Sequence, residues 1–273
     1  MKKLIPLLTF VILMAIGCTN EKPAGYTVLG DYTPYEATPE KLIGKVEKVI
    51  EKNYWAIPDG ETFKKGNPFT IKDRDSINWT NDFEVTFNDQ GGLVSCNYID
   101  ENGKSILKWE LSRENGLLTS ARATKNDTAR MNEKIKCNPA GEITEIAYYR
   151  PVADTLIATF MITCSEKKDT VTKQFYNYKG GKGGKIVYIY NDGGRFLRQE
   201  TYDMDGAFTG SIEVKYNEKG KNSELEFYDK DKKLTAVNHF TYEYDQKGNW
   251  IKAVTKDDRG FVVIEERTYA YFE

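Results

Sequence analysis

The chain is 273 residues long and carries 39 basic and 41 acidic side chains, a formal net charge of −2. Nothing in that balance suggests a basic nucleic-acid groove or a polybasic membrane patch. The 18 Tyr and 13 Phe beside only five Met favour strands, because flat rings suit a pleated, half-buried surface.

Residues 1–17 read as a lipoprotein signal peptide. Lys2 and Lys3 form a basic start, and Leu4 to Ile16 an apolar core too short to span a bilayer comfortably. Ala15-Ile16-Gly17-Cys18 resembles the lipobox of bacterial lipoproteins, with Ala where Leu is usual. An ordinary secretory leader with an incidental cysteine is the alternative. The resemblance implies a mature chain that begins at lipidated Cys18 and sits on the outer membrane. Several acyl chains give the stable anchoring that a single chain does not. Residues 18–38 are polar and contain proline, as a flexible tether does.

Residues 39–273 form the expected β-repeat domain. Its start is ambiguous: Leu42, Ile43, Val46, Val49 and Ile50 fit a helical period. Gly44, the β-branched positions and the run into Tyr54-Trp55 argue instead for a long edge strand, which is the reading adopted. From Phe83 onward the pattern is β. Ile212, Val214 and Tyr216 alternate with Ser211, Glu213 and Lys215, and β-type alternation recurs from Leu234 to Tyr244. Leu156–Phe160 and Ile186–Tyr190 are apolar on both faces and are expected to be covered on both.

A short phrase punctuates these strands: an aromatic, then Asn or Asp, two free positions and Gly. It appears at Phe87–Gly91, Tyr176–Gly180, Tyr190–Gly194, Tyr202–Gly206, Tyr216–Gly220 and Tyr244–Gly248. Degenerate copies lie at Cys137–Gly141, Tyr228–Lys232 and Lys256–Gly260. From Gly180 to Gly260 the phrase glycines are 12, 14 or 28 residues apart, one strand and one turn per step. The Asn/Asp and Gly are expected to supply the positive φ angles of tight hairpins.

The copy Tyr242-Glu243-Tyr244-Asp245-Gln246-Lys247-Gly248-Asn249-Trp250, with a second turn at Asp257–Gly260, resembles the YD (RHS-type) repeat. The resemblance covers about residues 83–272 and fades between Leu117 and Lys173. Asn249 is the one well-placed Asn directly after a phrase glycine, and Lys232 replaces one glycine. The family resemblance implies an all-β fold, an extended antiparallel meander of repeat hairpins curled or spiralling into a sheet. It carries over no catalytic residue.

No catalytic, cofactor or metal constellation is read from the chain. Gly180-Gly181-Lys182-Gly183-Gly184-Lys185 leads into a strand, so it is a hairpin turn and not a phosphate loop. His239 is the single histidine, which leaves no His-pair metal site, and it is expected to face solvent. Of Cys96, Cys137 and Cys164 at most one pair can bond, with Cys137–Cys164 the first to check and buried free thiols the blander reading. Trp55, Trp79, Trp109 and Trp250 serve either cross-strand packing or a stacking platform for sugars or peptides. Asp75-Ser76-Ile77, Asp127-Thr128-Ala129, Asp154-Thr155-Leu156 and Asp169-Thr170-Val171 resemble an O-glycosylation sequon of Gram-negative envelope proteins. Ser76, Thr128, Thr155 and Thr170 are thus candidate acceptors, unless these are ordinary turn starts.

Two functions follow as expectations. One is a lipid-anchored envelope protein that binds or scaffolds a glycan or protein partner without catalysis. The other is an envelope glycan hydrolase working through paired Asp/Glu carboxylates.

Overall fold

A computed structural model describes residues 26–29, 40–73 and 82–273. The expected signal peptide, most of the expected tether, Cys18, Ser76 and Trp79 lie outside the described residues. Among the described residues nineteen strands follow one another. They begin with β1 (Tyr26–Leu29), β2 (Glu40–Ile43), β3 (Val46–Asp59), β4 (Thr62–Pro68), β5 (Asp82–Phe87), β6 (Leu93–Ile99) and β7 (Ser105–Glu114). Next come β8 (Leu117–Lys125), β9 (Thr128–Cys137), β10 (Ile143–Arg150), β11 (Thr155–Cys164), β12 (Thr170–Asn177) and β13 (Lys182–Tyr190). The series ends with β14 (Phe196–Tyr202), β15 (Phe208–Tyr216), β16 (Asn222–Asp229), β17 (Leu234–Tyr244), β18 (Trp250–Asp257) and β19 (Val262–Tyr271).

The curled antiparallel meander is what forms, and the curl runs to closure. From β5 to β19 each strand pairs with the next, and β19 then pairs with β3, which pairs with β5, giving a closed barrel of 16 strands. An even count lets every neighbour be antiparallel. β4 extends the wall beside the outer end of β3, with Asp59 opposite Thr62. β3 is therefore a strand hydrogen-bonded on both sides, not the edge strand expected; closure leaves it no free side.

Each phrase forms the same turn. In ten copies, from Asn88 to Asp257, the Asn or Asp side-chain oxygen accepts the N–H groups two and four residues on, as Asn191 does at 3.0 and 2.9 Å. The closing N–H at the fourth position donates to the backbone carbonyl of the first. Positive φ falls on Gly194, Gly220 and their equivalents, and on Lys232 (φ 59°), but not on the phrase Asn or Asp. The acidic or amide residue thus works as an acceptor, and the last position of the phrase, glycine in all but the Lys232 copy, takes the left-handed backbone.

The chain enters and leaves at what we call the lower rim, where β3 begins and β19 ends. The turns at Asn88, Asn138, Asn191, Asn217 and Asp245 lie there; those at Asp100, Asn177, Asp203, Asp229 and Asp257 form the upper rim. The core is the inner face, with Val49, Val85, Cys96, Trp109, Ile146 and Tyr188 among its buried members. Leu42, also buried, joins it at the lower end. Near the upper end Phe69 is fully buried against Trp55, ring centroids 4.5 Å apart. The outward faces of β11 and β13 stay uncovered: Ile157 and Met161 are exposed, Val187 and Ile189 half-exposed. The expected double cover is absent because a single closed sheet has one interior.

Candidate functional site

Residues paired across a ladder point to the same face. Along β17, Phe240 lies opposite buried Thr255 and Tyr242 opposite buried Ala253, so both rings face inward. Yet Ile212, Leu225, Phe227, Ala236, Phe240 and Tyr242 are only half-buried. The inner wall of β15–β17 is therefore a stretch of the barrel interior that is not closed off from water.

On this wall the rings form a row. Phe240 and Tyr242 are nearly parallel, 12° between planes and 6.5 Å between centroids. Tyr242 lies 6.2 Å from Tyr244 and 5.8 Å from Trp250. At the lower rim the row opens into a cleft of about 350 Å³ lined by Asn217, Glu218, Lys219, Tyr242 and Tyr244. The Lys219 ammonium covers the Tyr244 ring at 3.9 Å. One hairpin further on, Lys247 covers Tyr271 at 3.2 Å, and one hairpin earlier Arg195 covers Tyr216 at 4.9 Å. A cation from each of these three lower turns thus seats on the terminal aromatic of the next hairpin, a contact worth about 0.5–1 kcal/mol at an exposed site.

A second cluster lies deep on the inner face. Glu133 and Lys173 are both buried. The Lys173 ammonium rests 4.4 Å from the Phe160 ring centre, and Glu133 Oε2 is enclosed without a hydrogen-bond partner. Burial pushes the Glu133 carboxyl up to about 8, against the pull of Lys173. Burial pushes Lys173 down to about 8, against the pull of Glu133. At the seam, buried Arg267 pairs with buried Glu51 at 2.7 Å and stacks on Trp250 at 3.8 Å. Neither cluster was visible in the sequence, because charged residues at alternating positions read there as solvent-facing.

The expected site residues fall as follows. Thr128 and Thr155 are exposed at upper-rim hairpins. Thr170 is half-buried at the lower rim, its hydroxyl 3.1 Å from Asp169 Oδ1. Neither Cys96 nor Cys137 is in a disulfide, so the Cys137–Cys164 bond does not form; the Cys137 thiol points to the Leu118 carbonyl. Trp109 and Trp250 are buried and Trp55 packs on Phe69, so the described tryptophans serve packing. The aromatic row is built of Phe and Tyr instead. His239 is exposed on the outer face, 3.5 Å from Glu224. Of paired carboxylates flanking a cleft, the lower-rim cleft contains only Glu218. Among the described residues, no group of three His, Cys, Asp or Glu is placed to hold a metal ion.

The outer wall carries charge. Lys215 bridges Glu224 and Glu226 at 2.7 and 2.6 Å, Lys136 pairs with Glu145 at 2.9 Å, and Lys252 with Glu243 at 2.7 Å. Lys48–Glu84 and Lys65–Glu266 continue the pattern across the seam. A lipid-facing barrel wall has the opposite polarity, since each Lys or Arg at the bilayer midplane costs about 2–4 kcal/mol. Among the described residues no helix is long and apolar enough to cross a membrane.

No protein-family model and no curated sequence matches the chain. Among solved structures, it is similar to a porin-like protein from Bacteroides uniformis, at 11% identity and a TM-score of 0.51, covering 82% of this chain and 96% of that one. A porin-like protein from Bacteroides vulgatus aligns at 9% identity and a TM-score of 0.36, covering 83% and 99%. What the chain shares with the first is a fold, here turned to water by its charged outer wall.

Proposed function

We propose that the protein is a lipid-anchored cell-envelope protein that binds a partner at the lower rim of a YD-like β-repeat barrel and performs no catalysis. The half-exposed aromatic row inside β17 carries this reading. An apolar wall left wet inside a closed barrel is a surface for a ligand to cover. A glycosidase reading needs two facing carboxylates, and the cleft offers one. The leader ending at Cys18 supports an envelope location, and the porin-like fold agrees with it.

The anchor sets an orientation. β1 pairs with β2 so that Tyr26 sits beside Ile43, and Ile43 is fastened to Asn249 at the lower rim. Tyr26 comes eight positions after Cys18, a stretch that spans at most about 29 Å. A lipid on Cys18 therefore holds the lower rim toward the bilayer and the upper rim, with Thr128 and Thr155, away from it. Fractionation of Cys18→Ala tests the anchor: the variant is expected in the soluble fraction or as unprocessed precursor. Unchanged membrane partition and unchanged mass would discard it.

A further inference from the structure

We infer that the lower-rim cleft is a carbohydrate subsite, in which a neutral sugar ring stacks on Tyr242 and hydrogen-bonds to the turn Asn217–Lys219. The inference rests on the binding reading above and gives its ligand a chemical class.

The floor is the half-buried ring of Tyr242, with Phe240 behind it in the row at 12° from parallel. Such a ring offers a flat apolar surface to another flat face, and the axial C–H face of a pyranose is one. The walls are polar and of mixed character. Asn217 Oδ1 is already committed to the N–H groups of Lys219 and Lys221, both at 3.0 Å, which leaves its Nδ2 as the side-chain donor. Glu218 is exposed on the same turn and supplies two acceptor oxygens. The Lys219 ammonium, 3.9 Å over the Tyr244 ring, supplies further donors. Donors and acceptors of both kinds around an aromatic floor match the alternating hydroxyls of a sugar.

One acidic and one basic side chain line the mouth, so a ligand bearing a strong net charge of either sign meets a repulsive partner. A volume of about 350 Å³ holds one or two sugar rings and is far too small for a folded partner. A peptide strand is disfavoured for a different reason. Every barrel strand around the cleft is already paired on both sides, so no free edge offers a main-chain ladder.

The test titrates the detergent-solubilised full chain with three neutral probes: an N-acetylglucosamine tetrasaccharide, cellotetraose and an α-linked mannose tetrasaccharide. At least one is expected to bind with a Kd on the order of 1 mM or tighter. Tyr242→Ala should weaken that binding at least about tenfold, the loss of one stacked ring. Because Tyr242 also touches Trp250, Glu218→Gln on the exposed turn gives a second reading, a severalfold weakening with unchanged circular dichroism. Failure of all three probes to bind, or equal binding by both variants and the wild type, overturns the proposal. So does preferential binding of a neutral extended peptide or of phosphatidylglycerol vesicles. The measurement does not depend on the anchor: Cys18→Ala that leaves the membrane but keeps sugar binding sinks the anchoring alone, and the converse result sinks the cleft alone.

Discussion

Arg267 and Glu51 face each other across the seam where the barrel closes, 216 residues apart in sequence and 2.7 Å apart in space. Arg267 lies between the ring of Trp250 and that of Phe83, at 3.8 and 5.8 Å. Guanidinium suits this place because it stays charged when dry and stacks on aromatic faces.

Removing one partner of this pair should be costly, since it strands the other charge in the core. Arg267→Ala is expected to lower unfolding stability by about 3–5 kcal/mol. The double change Glu51→Leu with Arg267→Met should recover most of that loss. Urea denaturation of the two variants beside the wild type checks both. Equal destabilisation by single and double variants would mean that the loss is one of packing.

Asn249 fastens the entering chain. Its Oδ1 accepts the Ile43 N–H at 2.6 Å, and its Nδ2 donates to the Ile43 carbonyl at 2.8 Å and to the Tyr271 hydroxyl at 3.0 Å. Asn249→Ala should cost about 2–3 kcal/mol at about 1 kcal/mol per bond, and free the segment before Val46. Hydrogen exchange should show lost protection at Ile43 while β10–β13 keep theirs. Protection that is lost evenly over the barrel would count against a local clamp.

Lys232 holds the turn position that glycine takes in most phrase turns, at φ 59°. A side chain there strains the left-handed backbone, so Lys232→Gly should stabilise by about 0.5–1 kcal/mol despite glycine's greater freedom when unfolded. Gly220→Ala, the same exchange reversed at φ 75°, should destabilise by a similar amount. Thermal melts of the pair decide the matter, and shifts of the same sign would refute the turn argument.

The Glu133–Lys173 pair makes stability depend on pH with a definite sign. Glu133, raised from 4.5 to about 8, stabilises fully below 4.5 and loses that contribution as pH rises through 8. Lys173, lowered from 10.5 to about 8, contributes fully above 10.5 and loses this as pH falls through 8. Together they place a trough near pH 8. Relative to wild type, Glu133→Gln should gain on the order of 1 kcal/mol per pH unit between pH 5 and 8. A difference that stays flat over that range would show that the carboxyl ionises as freely folded as unfolded.

Thr128 and Thr155 stand exposed on the upper rim, whereas the Thr170 hydroxyl is engaged by Asp169. If the sequon-like sites are used, protein from the native host should carry added mass at Thr128 and Thr155 first. Intact mass of Thr128→Ala and Thr155→Ala checks this, and a wild-type mass equal to polypeptide plus lipid ends the idea.

The turns and the faces were legible in the residues. Asn or Asp, two positions and Gly satisfy one another within five residues, so the phrase needs no tertiary help to make a hairpin. Alternation along Ile212–Tyr216 and Leu234–Tyr244 told which side of each strand is apolar, because the side-chain period of a strand is two. The residues misread locally were those whose meaning is set by what arrives from far away. β3 looked like an edge because its second neighbour, β19, lies some two hundred residues on. Glu51, Glu133, Lys173 and Arg267 were not singled out at all, because a charge gives no local sign that a curled sheet will enclose it. Closure decides these matters, and it depends on twist and stagger summed over sixteen strands. A short phrase sets the angle of one turn; only the whole ring decides which residues meet when it shuts, and which wall of it stays open to water.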